Sequence, residues 1–374
     1  MILFKTKRFI GLLLLILAMN TSYATDKQSS PERVILFVID GLATEAPTRI
    51  DMPNYNALKS QGSYYKKMHL ILPGHPEKSE SYPWSCSIPN PMFMSGSPFI
   101  GQDGIRESMI QHSFKDRETA FIVNARAYED VSKGFGAYLS SSFNPDALVI
   151  NLTKELMEVS DPKFMRVHLQ RAGIEGLRVS KNWSKNEAYH GNIWHEQSPY
   201  RTAITEADHQ LGRFVQYLKD NNKWDNTVLI ICGDHGQADD GWHAPYSPLS
   251  SETPLLIVGS GVKKDVTFDY CEIIDIAPTI AKLSNKKKPA LSIGRVLSES
   301  FVNNPSTQAN VPGNIKRLNK VLIEANNLTN EKQQLLSQQG FLTIDELGLW
   351  HTTSAGDNFN KFVIQQEKLL ESIK

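Results

Sequence analysis

Two short stretches combine side chains that could bind a metal ion. Gly233-Asp234-His235-Gly236 sets a carboxylate and an imidazole on adjacent residues between two glycines, and Asp40-Gly41 repeats the acidic half far upstream. An oxygen and a nitrogen donor side by side form a mixed ligand set that suits zinc or manganese better than calcium. Taken alone, each stretch is also an ordinary turn, because Asp and Gly are common turn residues. Together they read as a metal site, on condition that the fold brings them to one place.

Between them lies Ser85-Cys86-Ser87-Ile88-Pro89-Asn90-Pro91-Met92-Phe93-Met94-Ser95-Gly96. Pro89 favours the first turn of a helix, and Ser87 stands just ahead of it. A hydroxyl there meets free N–H groups and positive potential, which stabilise an alkoxide and an incoming anion. The commonest job of such a serine is an N-cap. A metal ion within bonding distance makes it a nucleophile instead, by lowering the hydroxyl pKa and polarising the substrate oxygen. Cys86 is a rival, but successive helical residues point about 100° apart, so both cannot face one ion. Its spacing to Pro89 and Asn90 favours Ser87.

The elements that must position these groups are legible as apolar runs. Val34-Ile35-Leu36-Phe37-Val38-Ile39 stops at Asp40, and Val228-Leu229-Ile230-Ile231-Cys232 stops at Gly233-Asp234. Such runs predict strands buried on both faces, as in a parallel sheet. Further strands are expected at Ala120 to Asn124, Ala147 to Leu152, Met165 to Leu169 and Leu255 to Val258. Ile204, Ala207, Leu211, Phe214, Val215 and Leu218 fall on one face of a helix. The alternation predicts an α/β fold with a mostly parallel central sheet sandwiched by helices. Ligands in such folds bind outside the carboxyl ends of the strands, where Asp40, Asp234 and His235 would sit.

Beyond about Ser300 the composition turns polar, with a helix expected through Ile315, Leu318, Val321 and Leu322; residues 301–374 read as a C-terminal helical appendage. At the other end, Lys5, Lys7 and Arg8, an apolar run from Phe9 to Ala18 and Ser22-Tyr23-Ala24 form a secretory signal pattern. The run is shorter than the roughly 20 residues that cross a bilayer. Residues 1–24 are thus read as a signal peptide, 25–32 as a linker and 33–300 as the catalytic domain, giving an exported protein, periplasmic or secreted, without stable membrane insertion after cleavage. Cleavage removes three basic groups and leaves 37 basic against 40 acidic residues, a formal charge of −3. That balance offers nothing to a nucleic-acid duplex or an anionic lipid surface. Three cysteines are too few and scattered for a disulfide framework.

These motifs, in this order, resemble the alkaline phosphatase superfamily, particularly its nucleotide pyrophosphatase/phosphodiesterase and sulfatase-like branches. The likeness rests on Val38-Ile39-Asp40-Gly41, Ser87-Ile88-Pro89-Asn90 with Ser95-Gly96, Gly233-Asp234-His235-Gly236 and Asp275-Ile276-Ala277-Pro278-Thr279, and covers roughly Arg33 to Leu297. It implies that Asp40, Asp234 and His235 hold a divalent metal, zinc first with manganese or calcium as alternatives, and that Ser87 both ligates the ion and attacks phosphorus. The substrate would be a small phosphate or sulfate ester.

In sulfatases of this type a Cys or Ser in a Cys/Ser-x-Pro-x-Arg motif is oxidised to formylglycine, and Ser87-Ile88-Pro89-Asn90-Pro91 lacks the Arg. Sulfatases also favour two adjacent acids where this chain has Asp40-Gly41. Both departures point to phosphate esters or diesters, cleaved through a phospho-serine. Sulfate-ester hydrolysis by a modified Ser87 is the alternative. A second metal would require an Asp-x-x-Gly-His segment after a strand, but Met165 to Leu169 runs into Gln170-Arg171-Ala172-Gly173-Ile174. His168, Glu175, His190 and His195 are unranked substitutes, one or two ions remain open, and His243 is the expected remaining ligand or else a structural histidine. That eroded segment also motivates a third reading, a non-catalytic envelope protein that kept the fold.

Overall fold

The run Val34 to Ile39 forms the centre of a nine-stranded sheet. In the computed structural model, which describes residues 30–72, 89–98, 108–142, 145–241, 243, 247–304, 313–341 and 355–374, nine strands are present: β1 (Arg33–Ile39), β2 (Gly62–His69), β3 (Thr119–Val123), β4 (Ala137–Ser140), β5 (Phe164–Leu169), β6 (Thr227–Cys232), β7 (Glu252–Gly259), β8 (Val266–Phe268) and β9 (Cys271–Glu272). The order across the sheet is β4-β3-β5-β1-β6-β7-β2-β8, with β9 also on β2. β1 pairs in parallel with β5 on one side and β6 on the other, Val34 opposite both Phe164 and Val228. The pairs β3/β4 and β3/β5 are parallel too, and β7 runs antiparallel to both β6 and β2.

Alternate residues of a strand face opposite sides, and β1 therefore feeds two cores. Val34, Leu36 and Val38 join one apolar cluster, and Ile35, Phe37 and Ile39 the other. Parallel neighbours need crossover connections, which place helices over the faces. The helices Arg171–Ser180 and Pro199–Asp220 cover the second face, with Phe214 stacked on Phe37 at a ring separation of 6.1 Å. The helices Pro89–Ser95 and Ile276–Leu283 cover the first. This is the expected α/β sandwich.

One expected strand is a helix. Ala147 to Leu152 belongs to the helix Asp146–Val159, whose buried positions Val149, Ile150, Thr153 and Met157 recur at helical spacing. A short apolar run carries no periodicity that separates strand from helix; the amphipathic continuation through Met157 settles it.

The C-terminal helices Asn314–Asn326 and Ala355–Glu371 pack on the first face, where Ile315, Leu318, Leu322, Phe359 and Val363 enter the same core as β1. Asn319 also ties the first of them to the end of β2: its Oδ1 accepts from Leu72 N–H at 3.0 Å and its Nδ2 donates to the Leu70 carbonyl at 2.6 Å. Arg317 and Glu367 link the two helices through paired contacts of 2.8 and 2.5 Å. Among the described residues no helix is long and apolar enough to cross a membrane.

Candidate metal centre

Because β1, β5 and β6 are parallel neighbours, their carboxyl ends meet at one edge. Asp40 follows β1, Asp234 and His235 follow β6, and all three side chains are buried. One ligand atom from each lies within 4.8 Å of the others. His235 Nε2 is 3.6 Å from Asp40 Oδ1 and 3.7 Å from Asp234 Oδ1. Two ligands on a tetrahedral zinc ion at about 2.1 Å would stand roughly 3.4 Å apart, close to the two His235–carboxylate separations.

The donor chemistry fits as well. His235 Nδ1 lies 2.8 Å from the Gly236 carbonyl and donates to it, which leaves the Nε2 lone pair facing the two carboxylates. Burial pulls the His235 pKa down, but the charges of Asp234 and Asp40 and the Gly236 carbonyl outweigh it, and the net shift is upward. The triangle thus stabilises a positive charge at its centre, a proton or a metal ion.

Local backbone geometry holds the carboxylates. Gly41 has a φ of +62°, open to glycine at no steric cost, and its N–H donates to Asp234 Oδ1 at 3.1 Å, as does the N–H of His235 at 3.1 Å. Gly173 comes so close that a Cβ there would lie 1.7 Å from Asp40 Oδ1. The segment that the family resemblance would furnish with Asp and His therefore does pack against the centre, but it brings Gln170 and Ile174. An alkyl group cannot ligate, Gln170 Oε1 accepts from the Tyr128 hydroxyl at 2.8 Å, and among the described residues only the one group of three metal-ligating side chains is found.

The other expected residues divide. His168, on β5, reaches the centre: its Nε2 is 3.3 Å from Asp40 Oδ2 and 4.0 Å from Asp234 Oδ2. His243 is buried against His235, ring centroids 4.7 Å apart and nearly perpendicular, but stands outside the triangle. Glu175 is paired with Arg171 at 2.5 Å and Arg178 at 3.0 Å. His190 contacts Ser184 Oγ at 2.8 Å, and His195 Nδ1 accepts from Gln197 N–H at 3.2 Å. Ser87 and Cys86 lie outside the described residues. Cys232 and Cys271 are free thiols in the core.

Two residues of the centre were not foreseen. Tyr128 places its hydroxyl 2.9 Å from Asp40 Oδ2 and 2.8 Å from Gln170 Oε1; burial, then the charges of Asp40 and Asp234, hold its pKa well above the ordinary phenol value. Arg166 is fully buried in β5 beneath the carboxylates, its guanidinium 4.7 Å from the centroid of Phe121. Charged side chains are almost never fully buried unless paired. A lone arginine inside the apolar strand Phe164–Leu169 was the available signal.

A model of the family described as Sulfatase matches residues 99–286, just over half of the chain. Among curated proteins, the chain is 32% identical over 114 residues to a multifunctional alkaline phosphatase superfamily protein of Trinickia caryophylli, covering 29% of this chain and 22% of that protein. It is 31% identical over 120 residues to an arylsulfatase of Clostridium perfringens, covering 30% and 25%. The chain thus spans about a quarter of the length of the curated relatives it matches. Among solved structures, a phosphonate monoester hydrolase of Silicibacter pomeroyi superposes with a TM-score of 0.53 at 14% identity, over 74% of this chain and 78% of that one. An alkaline phosphatase superfamily protein of Vibrio parahaemolyticus does so with a TM-score of 0.50 at 21% identity, over 73% and 71%. With the family model covering half its length and the strand-end carboxylates converging as that architecture requires, this chain belongs to the sulfatase family of the alkaline phosphatase superfamily.

Proposed function

We propose that the protein is an exported, metal-dependent ester hydrolase that cleaves small phosphate esters or diesters, with Ser87 as nucleophile. The observation that carries this reading is the buried triangle of Asp40, Asp234 and His235 at the carboxyl edge of the sheet. A divalent ion bound there, zinc or manganese from the donor set, would acidify a nearby hydroxyl and polarise the ester oxygen. His243, against the ring of His235, is the proposed further ligand.

Ser87 Oγ would then attack phosphorus; the new Oγ–P bond forms as the bond from phosphorus to the departing alcohol breaks, and that alcohol takes up a proton. Water next attacks phosphorus as the Oγ–P bond breaks, its proton restoring the Ser87 hydroxyl, and releases phosphate from a monoester substrate or a phosphate monoester from a diester. The missing arginine after Ser87-Ile88-Pro89-Asn90 and the single acid at Asp40 support phosphate over sulfate. In this proposal residues 1–24 direct export, 25–32 are a linker, 33–300 carry the chemistry and 301–374 are a helical extension.

The match to the sulfatase family favours a second reading, sulfate-ester hydrolysis by a Ser87 oxidised to formylglycine. Turnover of p-nitrophenyl phosphate, bis-p-nitrophenyl phosphate and p-nitrophenyl sulfate decides between them, with Ser87→Ala and Asp234→Ala as controls and the intact mass of Ser87 peptides from the native host. Phosphoester turnover by an unmodified serine, lost in both variants, is the expected result. A two-mass-unit loss at Ser87 (roughly two hydrogens) with sulfate turnover would replace phosphate by sulfate. Metal-replete protein inert to all three esters would leave a non-catalytic relative.

A further inference from the structure

Asp40 and Asp234 are held in different ways. Asp234 Oδ1 accepts from the N–H groups of Gly41 and His235, each at 3.1 Å, and its Oδ2 accepts from Asn90 Nδ2 at 3.2 Å. The Asp40 carboxylate has a single donor among the described residues, the Tyr128 hydroxyl, 2.9 Å from Oδ2. His168 Nε2 stands 3.3 Å from the same oxygen without making a hydrogen bond. Asp40 Oδ1 accepts from no donor among the described residues; it lies 3.6 Å from His235 Nε2 and backs onto Gly173.

The phenol arrives there from two strands away. β3 neighbours β5, and β5 neighbours β1. The residues that follow these strands are tied to one another: Gln170 N–H donates to Asn124 Oδ1 at 2.9 Å, Asp40 N–H donates to the Leu169 carbonyl at 2.9 Å, and the Tyr128 hydroxyl reaches Gln170 Oε1 at 2.8 Å as well as Asp40. The ring is only 4% exposed, packed against His168 at 4.6 Å between centroids and edge-on to Phe121 at 6.1 Å. A phenol has one proton to donate, and of its two acceptors the charged carboxylate is the stronger. A donor fixed on one oxygen of a carboxylate restricts rotation of the group, so the bond to Oδ2 sets where Oδ1 points.

We propose that Tyr128 is the positioning residue for Asp40: its hydroxyl anchors Oδ2 and thereby presents Oδ1, the oxygen without a hydrogen bond, to a metal ion beside His235. Asp234, held by three donors of its own, does not depend on it. Partners of this kind orient ligands, and their loss typically costs about 10–100-fold in metal affinity. The inference rests on the metal-centre reading above.

The test uses zinc or manganese alone as the probe, on the full mature protein. Tyr128→Phe keeps the packed ring and removes only the hydroxyl; by titration calorimetry it should bind the ion about 10–100-fold more weakly than wild type. Gln170→Leu, which leaves the phenolic proton wholly to Asp40, should bind within a few-fold of wild type. Asn319→Leu, which loses hydrogen bonds at the end of β2, serves as a destabilised protein that should bind as wild type does. Ultraviolet difference spectra of wild type should show no tyrosinate on metal addition.

Tyr128→Phe binding as wild type does overturns the proposal, and so does an equal weakening in Asn319→Leu, because affinity would then follow stability alone. Tyrosinate formed on metal addition would make the phenol a ligand and overturn it too, as would a loss of about tenfold or more in Gln170→Leu. Should Tyr128→Phe fail to fold, the wild-type spectrum and Gln170→Leu still decide. A wild-type protein that binds no metal at all would instead strike the underlying reading of the centre, so the two failures are distinguishable.

Discussion

A single methyl group at position 173 should weaken metal binding by about 10²–10³-fold while leaving the fold in place. In Gly173→Ala the added Cβ would stand 1.7 Å from Asp40 Oδ1 and 2.7 Å from Asp40 Cγ. To reach even 3.0 Å, a separation below which real Cβ atoms are essentially never found, the carboxylate oxygen must retreat by more than about 1 Å. Metal–ligand distances tolerate only about 0.2 Å, so Asp40 Oδ1 would cease to be a ligand. A four-ligand zinc site binds with about 10–16 kcal/mol, or roughly 3–4 kcal/mol per ligand, and the expected loss is on the order of 10²–10³-fold in affinity.

The helix Arg171–Ser180 itself should accept the change, since alanine is favoured over glycine in a helix interior by about 0.8–1 kcal/mol. Competition against a chromophoric zinc chelator measures the affinity; circular dichroism and the metal-free melting temperature report the fold. Wild type at a zinc concentration of 100 Kd should gain about 2.7 kcal/mol of stability, and the variant at the same concentration less than about 0.5 kcal/mol. A folded Gly173→Ala that binds zinc as wild type does would refute the assignment of Asp40 Oδ1 as a ligand.

Two further perturbations separate stability from the site. Asn319→Leu strips partners from the buried Leu72 N–H and Leu70 carbonyl, each worth about 1–3 kcal/mol; the urea midpoint should fall with metal affinity unchanged, and an unchanged midpoint would mean that the C-terminal helix does not depend on this bond. Glu272 is pushed up to about 8 by burial and then by the neighbouring charge of Asp275. Its folded value exceeds the unfolded one, so its contribution is fully present below about pH 4 and is lost as pH rises through 8. Urea unfolding between pH 5 and 9 should show stability declining, and Glu272→Gln should flatten that decline; equal slopes in the two proteins would contradict it.

Much of the sheet was legible because β1, β3, β6 and β7 are largely apolar on both faces, and such runs predict buried strands without reference to partners. β2 and β4 escaped notice because their sequences, Gly62–His69 and Ala137–Ser140, include exposed or half-buried positions and lie near the sheet's margins. Ala147 to Leu152 misled for the opposite reason, an apolar run too short to show its period. At the centre, Asp40, Asp234 and His235 were readable as strand-end residues beside glycines. Arg166, Tyr128 and the rank of His168 were not, since their roles depend on β5 lying next to β1 and β3 next to β5, a lateral order that local patterns do not encode.

The position of β1 has a consequence for how the chain is made. The strand at the middle of the sheet is synthesised first, yet its partners Phe164 and Val228 lie roughly 130 and 190 residues downstream. At about 5–20 residues per second, Val34 to Ile39 waits on the order of 10–40 s for its second neighbour. During that interval six consecutive apolar, strongly β-forming residues are without ladder partners, the kind of window that promotes aggregation. Yield on expression should therefore hinge on what shields this one segment while the ribosome finishes β6.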